Sequence, residues 1–124
     1  DEDITVYYDG SQLRAFTWVK DIVEGIYLTS KASEKLWNEI WNVGNEKNEK
    51  SIKYLAEKVI RYTNSKSKIV SVDPVKIHGE LFAEAPEKIP DSTKIRTLLN
   101  WEPKKSADEV VLEVVNYFKD IKGK

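Results

Sequence analysis

Apolar residues recur with the spacing of an amphipathic helix in four stretches of the chain. Most of these stretches carry a boundary signal, such as a serine or aspartate at the start or an asparagine at the end. They predict helices over residues 18–30, 51–64, 91–100 and from 106 onward. The apolar residues at helical spacing are Val19, Ile22, Val23 and Ile26, then Ile52, Leu55, Ala56, Val59 and Ile60, then Ile95, Leu98 and Leu99, and finally Val111, Val114, Val115 and Phe118. Those of the last helix are expected to point inward.

Short alternating or apolar runs between these helices predict strands. Residues 4–8 form the first run, which ends at an aspartate-glycine turn because glycine supplies the positive φ of a tight turn. In residues 12–16, alternation would place Leu13 and Ala15 on one face and Arg14 on the other. The remaining expectations are strands at 39–43 and 68–72, a charged loop at 45–50, and an irregular surface segment at 74–90 anchored by Leu81 and Phe82.

This order of short, mixed elements predicts an α+β domain in which helices pack on a small mixed sheet. At 124 residues, 40% of them hydrophobic, we expect residues 1–124 to form a single domain. No apolar run approaches the length of a membrane span, and the net charge of −1 gives no field that favours nucleic acid. The absence of cysteine excludes disulfides and favours a cytoplasmic location. The absence of a first methionine predicts processing or trimming upstream.

Arg14 has the setting that points most clearly to chemistry. It lies between apolar neighbours in the predicted strand, directly after a turn and before the first helix. A guanidinium held on a rigid strand beside the Phe16 ring has its fork aimed in advance, and that fork matches phosphate oxygens two at a time. The local pattern also fits a solvated surface arginine, so it leaves both interpretations open.

Four motifs in order resemble one family. Residues 9–26, DGSQLRAFTWVKDIVEGI, resemble the D-G-x-Q-x-R-x-F-x-x-V-x-D segment of NAD-dependent nucleotide-sugar epimerases and dehydratases. These enzymes are the extended short-chain dehydrogenase/reductase family, which includes UDP-glucose 4-epimerase-like proteins. Residues 39–45 are similar to the family's E-V-F-N-I-G strand, residues 51–58 to its S-V-x-E-L-A-E helix, and residues 90–103 to P-D-x-S-K-x-x-x-x-L-G-W-x-P. The chain differs from the family at Tyr8, Trp18 and Lys20, where glycine, tyrosine and an acidic residue are usual.

The resemblance covers nearly the whole chain and implies the C-terminal, substrate-binding part of such an enzyme without its Rossmann half. In the family, the arginine matching Arg14 contacts the substrate diphosphate. A basic residue three positions before the aspartate matching Asp91 often does the same, and here it is Lys88, which also fits an ordinary exposed lysine. Gln12 is expected to donate to a phosphate or sugar oxygen, or to serve as a turn residue. Phe82 is expected to contact the base or sugar, or to be a buried anchor.

The family's cofactor and catalytic residues have no counterpart in this sequence. NAD needs a glycine-rich strand-to-helix turn, and the glycines at positions 10, 25, 44, 79 and 123 are too far apart to build one. Tyr54 with Lys58, and Tyr62 with Lys66, match the spacing of the catalytic pair. The first pair aligns with a different part of the family and the second straddles a helix end, so we interpret both as chance. His78 is the only histidine and has no partner at catalytic or metal-binding spacing.

We therefore predict the portion of an NAD-dependent sugar epimerase or dehydratase that binds a UDP-, GDP- or dTDP-sugar, catalytically incomplete as an isolated chain. The alternative is a non-catalytic interaction or scaffold domain derived from the same family. The sequence does not choose among epimerase, dehydratase and decarboxylase. In the family fold, the first helix and the strand at 39–44 adjoin the Rossmann half. We therefore expect exposed apolar surface, and a homo-oligomer or a partner subunit that carries a Rossmann domain.

Overall fold

The computed structural model describes residues 2–122, and in this part of the chain it contains five strands and five helices. The strands are β1 (Ile4–Tyr7), β2 (Leu13–Ala15), β3 (Glu49–Ser51), β4 (Ile69–Val72) and β5 (Glu87–Lys88). The helices are α1 (Val19–Ser30), α2 (Ile52–Thr63), α3 (Pro74–His78), α4 (Thr93–Leu99) and α5 (Ala107–Lys122). Short 3-10 turns lie at Glu34–Leu36 and Glu46–Asn48. None of the described helices is both long and apolar enough to cross a membrane.

The strands form two small sheets. β1 and β4 pair in parallel, from Ile4 opposite Ile69 to Tyr7 opposite Val72. In the second sheet β2 is central, with β3 antiparallel on one side and β5 parallel on the other. The predicted α+β class, with helices packed on a small mixed sheet, is therefore confirmed, although the strands are divided between two sheets.

Polar side chains set helix boundaries where the sequence predicts them. At the start of α2, the Ser51 hydroxyl accepts the N–H three residues later at 3.0 Å, and Asn64 ends the helix in the left-handed conformation. Asn100 ends α4 in the same conformation. Ser106 and Glu109 form a capping box at the start of α5, in which the Ser106 N–H donates to Glu109 Oε2 at 2.8 Å.

The core is centred on Trp101, whose side chain is fully buried. Its indole N–H donates to the main-chain oxygen of Asp21 in α1 at 2.8 Å. Asp21 Oδ2 in turn accepts the N–H of Lys104 at 3.0 Å. These bonds fasten α1 to the connection between α4 and α5. The other buried apolar residues are Val6, Ala56, Ile95, Ala107, Val111 and Val115.

Helix α1 packs against the rest of the chain with the face opposite to its apolar stripe. Asp21 and Gly25 are buried, and a Cβ added at Gly25 would lie only 2.6 Å from Val43 Cγ1. Glycine thus allows the helix to approach closely on this side. Three residues of the apolar stripe on the other side are largely exposed: Val19 at 66%, Val23 at 58% and Ile26 at 60%. The exposed apolar surface expected on this helix is present.

The prediction for α5 is partly wrong. Val111 and Val115 are buried as expected, whereas Val114 is 49% exposed and Phe118 is 55% exposed. Both exposed residues line an open groove between α2 and α5. No part of the described chain fills this groove, so the two side chains that face it remain exposed.

Residues 39–43 do not form the predicted strand. They pair with none of the described strands, and Ile40 is 84% exposed. The backbone is instead fixed just afterwards, where the buried Ser92 hydroxyl accepts the Gly44 N–H at 3.1 Å and donates to the Gly44 carbonyl at 2.7 Å. The resemblance placed this strand in the sheet of a Rossmann half, so without such a partner its ladder cannot form.

Two segments predicted as irregular contain regular structure. The charged segment at 45–50 overlaps β3, and the segment at 74–90 contains α3 and β5. Within the second segment Leu81 is 100% exposed, so only Phe82 acts as an anchor. β3 and β5 both depend on pairing with β2, which the local pattern does not reveal.

The turn between β1 and β2 has two residues at positive φ, Tyr8 at 52° and Gly10 at 75°. Tyr8 occupies the position where the family usually has glycine, so a side chain is held in the left-handed region that L-residues disfavour. Gly10 lies close to Lys53, since an added Cβ would come within 3.0 Å of the lysine Cβ. The turn keeps a left-handed geometry in spite of the tyrosine.

Candidate functional site

The pairing of β2 with β5 brings two cationic residues together. Arg14 lies opposite Lys88 in this parallel pair, and Leu13 lies opposite Glu87. The pairing continues before β5, where the Leu13 N–H donates to the Pro86 carbonyl at 2.8 Å. Residues opposite each other in a sheet project from the same face. The structure therefore places the two diphosphate candidates, Arg14 and Lys88, side by side.

Main-chain oxygens aim the Arg14 guanidinium. Its Nη1 donates to the Leu13 carbonyl at 2.6 Å and its Nη2 to the Ala85 carbonyl at 3.2 Å. Nη2 also forms an ion pair with the Glu84 carboxylate. The arginine side chain is 20% exposed, so it is a half-buried cation with a fixed direction rather than a solvated surface residue.

Glu84 places one carboxylate oxygen against both cations. Its Oε1 contacts Arg14 and lies 3.5 Å from Lys88 Nζ. The Glu84 side chain is 16% exposed, whereas that of Lys88 is 62% exposed. The two cations thus already share an anionic oxygen, as they could share the oxygens of a phosphate. Glu84 was not predicted from the sequence, because its only local signal is the four-residue spacing to Lys88.

A cleft of about 540 Å³ opens at this pair. It is bounded by β1, β2, the start of α2 and the segment that precedes β5. Its wall combines apolar side chains with convergent polar groups, which is the usual make-up of a small-molecule site. The residues that line it are Thr5, Val6, Tyr7, Gln12, Arg14, Ile52, Glu84 and Lys88.

Gln12 lies in the same cleft and is 7% exposed. Its Nε2 donates to the Tyr7 carbonyl at 3.0 Å, whereas its buried Oε1 has no hydrogen-bond partner within the described chain. An unpaired buried carbonyl oxygen is costly, so this atom is suited to accept a hydrogen bond from a ligand. The arrangement favours an acceptor role for Gln12 over the donor role expected from the sequence.

Phe82 lies behind the cleft rather than on its wall. Its ring stacks on His78 with centroids 4.8 Å apart, and it contacts the edge of Tyr7. The Tyr7 hydroxyl and His78 Nε2 are 2.6 Å apart, so the histidine is engaged in this aromatic cluster. Tyr7 itself lines the cleft. Phe82 therefore supports the site through Tyr7, and no metal-binding group of side chains is found in residues 2–122.

Tyr54 and Lys58 are neighbours on α2, but they do not form an activated pair. Both contact Asp108 of α5, with Lys58 Nζ 2.7 Å from Asp108 Oδ2. The hydrogen bond to the Asp108 carboxylate raises the pKa of Tyr54, more than Lys58 lowers it. A tyrosine that serves as a base near neutral pH needs a lowered pKa. This cluster is better suited to fastening α2 to α5.

The second tyrosine and lysine at catalytic spacing do not share a helix. Tyr62 lies in the last turn of α2, which ends at Thr63, and Lys66 lies beyond that end. The Tyr62 carbonyl accepts a hydrogen bond from Lys119 Nζ at 3.0 Å. The geometry therefore gives no reason to include this pair in the site.

A larger groove, of about 860 Å³, lies between α2 and α5. Its walls are almost entirely apolar, and Lys119 is the cationic residue among those that line it. Such a surface is suited to packing against another apolar surface rather than to binding an anion. We place the site at the smaller cleft because two cations and an unpaired acceptor converge there.

The model of the GDP-mannose 4,6-dehydratase family matches residues 1–114. The UDP-N-acetyl-alpha-D-glucosaminuronate decarboxylase of Bacillus cytotoxicus is 37% identical over 122 residues, which are 98% of this chain and 37% of that protein. The structure of UDP-glucose 4-epimerase from Thermotoga maritima, solved with UDP-glucose, matches with a TM-score of 0.81 at 25% identity. This match covers 97% of this chain and 36% of that one.

UDP-glucuronic acid 4-epimerase from Bacillus cereus, solved with UDP-glucuronic acid and NAD, has the same fold over 96% of this chain and 36% of its own. The TM-score is 0.81 at 21% identity. The chain thus spans little more than a third of the length of each of these proteins. Its fold matches the C-terminal part of the epimerase structures. With the family match over residues 1–114, the chain belongs to the NAD-dependent nucleotide-sugar epimerases and dehydratases of the extended short-chain dehydrogenase/reductase family.

Proposed function

We propose that these 124 residues are the substrate-binding, C-terminal part of an NAD-dependent nucleotide-sugar epimerase or dehydratase, and that Arg14 and Lys88 hold the substrate diphosphate. The observation that carries this proposal is the register of β2 and β5, which sets both cations beside one cleft. A diphosphate needs two adjacent cationic groups, and the main-chain bonds of Arg14 aim one of them in advance.

The two cations are suited to contact the diphosphate in different ways. Arg14 offers a planar fork that can pair with two oxygens of one phosphate, whereas Lys88 offers a mobile point charge to the other. Gln12 Oε1 then accepts a hydrogen bond from a hydroxyl group of the ribose or the sugar. Among UDP-, GDP- and dTDP-sugars we propose a UDP-sugar, because the names of the similar decarboxylase and epimerases all refer to UDP-sugars.

The described residues do not fit NAD. β1 leads through its glycine turn into another strand, β2, and not into a helix. Four strands are followed by a helix, namely β2, β3, β4 and β5, and none of these junctions contains a glycine. We therefore propose that the NAD site and the catalytic tyrosine and lysine of the complete enzyme come from polypeptide other than these residues. On this proposal the isolated chain binds substrate and does not catalyse. A cytoplasmic location stays a prediction from the cysteine count.

The surface of α1 supports the proposed assembly. Val19, Val23 and Ile26 of α1 are exposed, and in the segment that follows the helix Trp37 is 59% exposed and Ile40 84%. We propose that a Rossmann-domain subunit, or a second copy of the chain, covers this apolar surface. Sedimentation velocity of the chain alone tests the second case. Self-association that rises with concentration and is lost in Ile26→Glu is expected, and a monomer at every concentration would contradict it.

Chemical-shift titration of the ¹⁵N-labelled chain with UDP-, GDP- and dTDP-sugars at low salt tests the diphosphate site. We expect saturable shifts in β2 and β5 that disappear in Arg14→Ala. They should persist in Arg61→Ala, which removes an exposed arginine from α2. Flat spectra with all three ligands would refute the proposal and favour a non-catalytic interaction or scaffold domain.

A further inference from the structure

We propose that Glu84 is an internal competitor for the cationic pair, and that it thereby sets which anions the cleft accepts. This inference rests on the proposed diphosphate site and adds a specificity-determining residue to it. In the described structure the carboxylate holds the position between Arg14 and Lys88 that a ligand oxygen would need. A ligand must therefore displace Glu84 before it can contact both cations.

The geometry of the carboxylate matches that of a bridging anion. A single oxygen, Oε1, contacts Arg14 Nη2 and lies 3.5 Å from Lys88 Nζ. A phosphate oxygen that bridged the two cations would occupy the same volume. Glu84 and Arg14 are only 16% and 20% exposed, so solvent screens their attraction less than that of a surface pair. The competition is consequently strong at Arg14 and weak at the exposed Lys88.

The charges explain how this arrangement discriminates between ligands. Two cations and one carboxylate leave a net charge of +1. A singly charged anion that displaces Glu84 only replaces one singly charged partner of the cations by another, so it gains little. A diphosphate brings two charged phosphoryl groups, which can contact Arg14 and Lys88 separately. Glu84 thus lowers the affinity for all anions but penalises small, weakly charged ones the most.

Displacement of Glu84 leaves the rest of the site in place. Arg14 is oriented by the carbonyls of Leu13 and Ala85, independently of the Glu84 side chain. β5 is attached to β2 through main-chain hydrogen bonds, beginning at Pro86. Rotation of the glutamate side chain away from the cleft therefore needs no change in the sheet. Arg14 would therefore keep its orientation after Glu84 moves away, as expected if Glu84 competes for the arginine and does not support it.

The two roles predict opposite effects of Glu84→Gln on binding. Titration of the ¹⁵N-labelled chain with inorganic pyrophosphate and with inorganic phosphate, followed at Arg14 and β5, distinguishes them. If Glu84 competes, Glu84→Gln binds pyrophosphate about tenfold more tightly, which is about 1.4 kcal/mol. The ratio of phosphate to pyrophosphate dissociation constants also decreases. Glu80→Gln, the same charge change at an exposed position of the same segment, should alter affinity by less than about twofold.

Unchanged or weaker binding of pyrophosphate by Glu84→Gln would overturn the inference, because Glu84 would then support the arginine rather than compete for it. Dispersed spectra of the variant show that it is folded. If the wild-type chain binds a UDP-sugar at Arg14 and Glu84→Gln brings no gain, only this inference fails. If neither protein binds pyrophosphate or a UDP-sugar, the proposed diphosphate site fails and the inference fails with it.

Discussion

Arg14 and Lys88 are directly opposite each other in the parallel pair of β2 and β5, although most of the chain separates them in sequence. The strand β5 contains only two residues, Glu87 and Lys88, and its register with β2 brings the two cations together. The turn before β2 has two residues at positive φ, and a main-chain hydrogen bond orients the Arg14 guanidinium. The cationic pair is therefore a product of sheet pairing rather than of local sequence.

Replacement of Lys88 by arginine should strengthen binding of a UDP-sugar. Arginine is usual at this position in the family, and its fork can pair with two phosphate oxygens where lysine supplies one point charge. We expect Lys88→Arg to lower the dissociation constant by about three- to tenfold by calorimetry. Lys88→Ala should weaken binding less than Arg14→Ala does, because Lys88 is 62% exposed.

Lys66→Arg, which makes the same change at an exposed position beyond α2, serves as the control. Wild-type affinity in Lys88→Ala would show that the lysine does not take part in the site.

The cluster of Tyr54, Lys58 and Asp108 should make stability depend on acid pH. Lys58 and Tyr54 hold the pKa of Asp108 below its ordinary value of 3.8. A lowered folded-state pKa contributes stability above the unfolded value, and this contribution is lost as pH falls through the folded value. The melting temperature of the wild type should therefore exceed that of Asp108→Asn by a few degrees at neutral pH.

That difference should shrink as the pH is lowered below 3.8. Other carboxylates also have lowered pKa values, among them Glu102 and Glu113, so the difference between the two proteins, and not the wild-type curve alone, reports on Asp108. A constant difference from neutral to acid pH would refute this assignment.

Ser92 should be important for stability despite its small size. It is fully buried, and its hydroxyl satisfies both the N–H and the carbonyl of Gly44. Ser92→Ala leaves both groups unpaired, so we expect the free energy of unfolding to fall by about 2–3 kcal/mol in urea denaturation. Ser33→Ala, at an exposed position without a side-chain capping bond, should change it by less than about 0.5 kcal/mol. Equal losses of unfolding free energy in Ser92→Ala and Ser33→Ala would contradict the stabilising role of the Ser92–Gly44 hydrogen bonds.

Tyr8→Gly should stabilise the chain. Tyr8 has φ at 52° and is 44% exposed, so the relief of backbone strain exceeds the packing that is lost. We expect a gain of about 1 kcal/mol, measured as a higher melting temperature. Tyr8→Ala keeps the Cβ in the left-handed region and should give no gain. A destabilisation by glycine as large as that by alanine would show that the tyrosine ring matters more than its backbone.

The sequence predicted well those features that local chemistry determines. The caps at Ser51 and Ser106, the helix end near Asn64 and the left-handed end at Asn100 depend on neighbouring residues, and the structure confirms them. Arg14 was identified from its own setting and from the resemblance. Its position beside a second cation followed only from the alignment of Lys88 with the family.

The sequence predicted poorly the features that depend on distant partners. The apolar stripe of α1 indicates a helix correctly, but burial follows from Trp101, which packs on the side of Asp21 and Gly25. The segment at 39–43 has the composition of a strand, but among residues 2–122 no strand pairs with it. Glu84 was missed for the same reason, since its contact with Arg14 depends on the β2–β5 pairing and has no periodic signal.

A crystal structure of the chain with UDP tests the diphosphate site most directly. We predict the diphosphate at the β2–β5 pair, with phosphate oxygens within hydrogen-bonding distance of Arg14 and Lys88 and the Glu84 carboxylate displaced from both. UDP bound elsewhere, with Arg14 still paired to Glu84 at saturating ligand, would contradict the account.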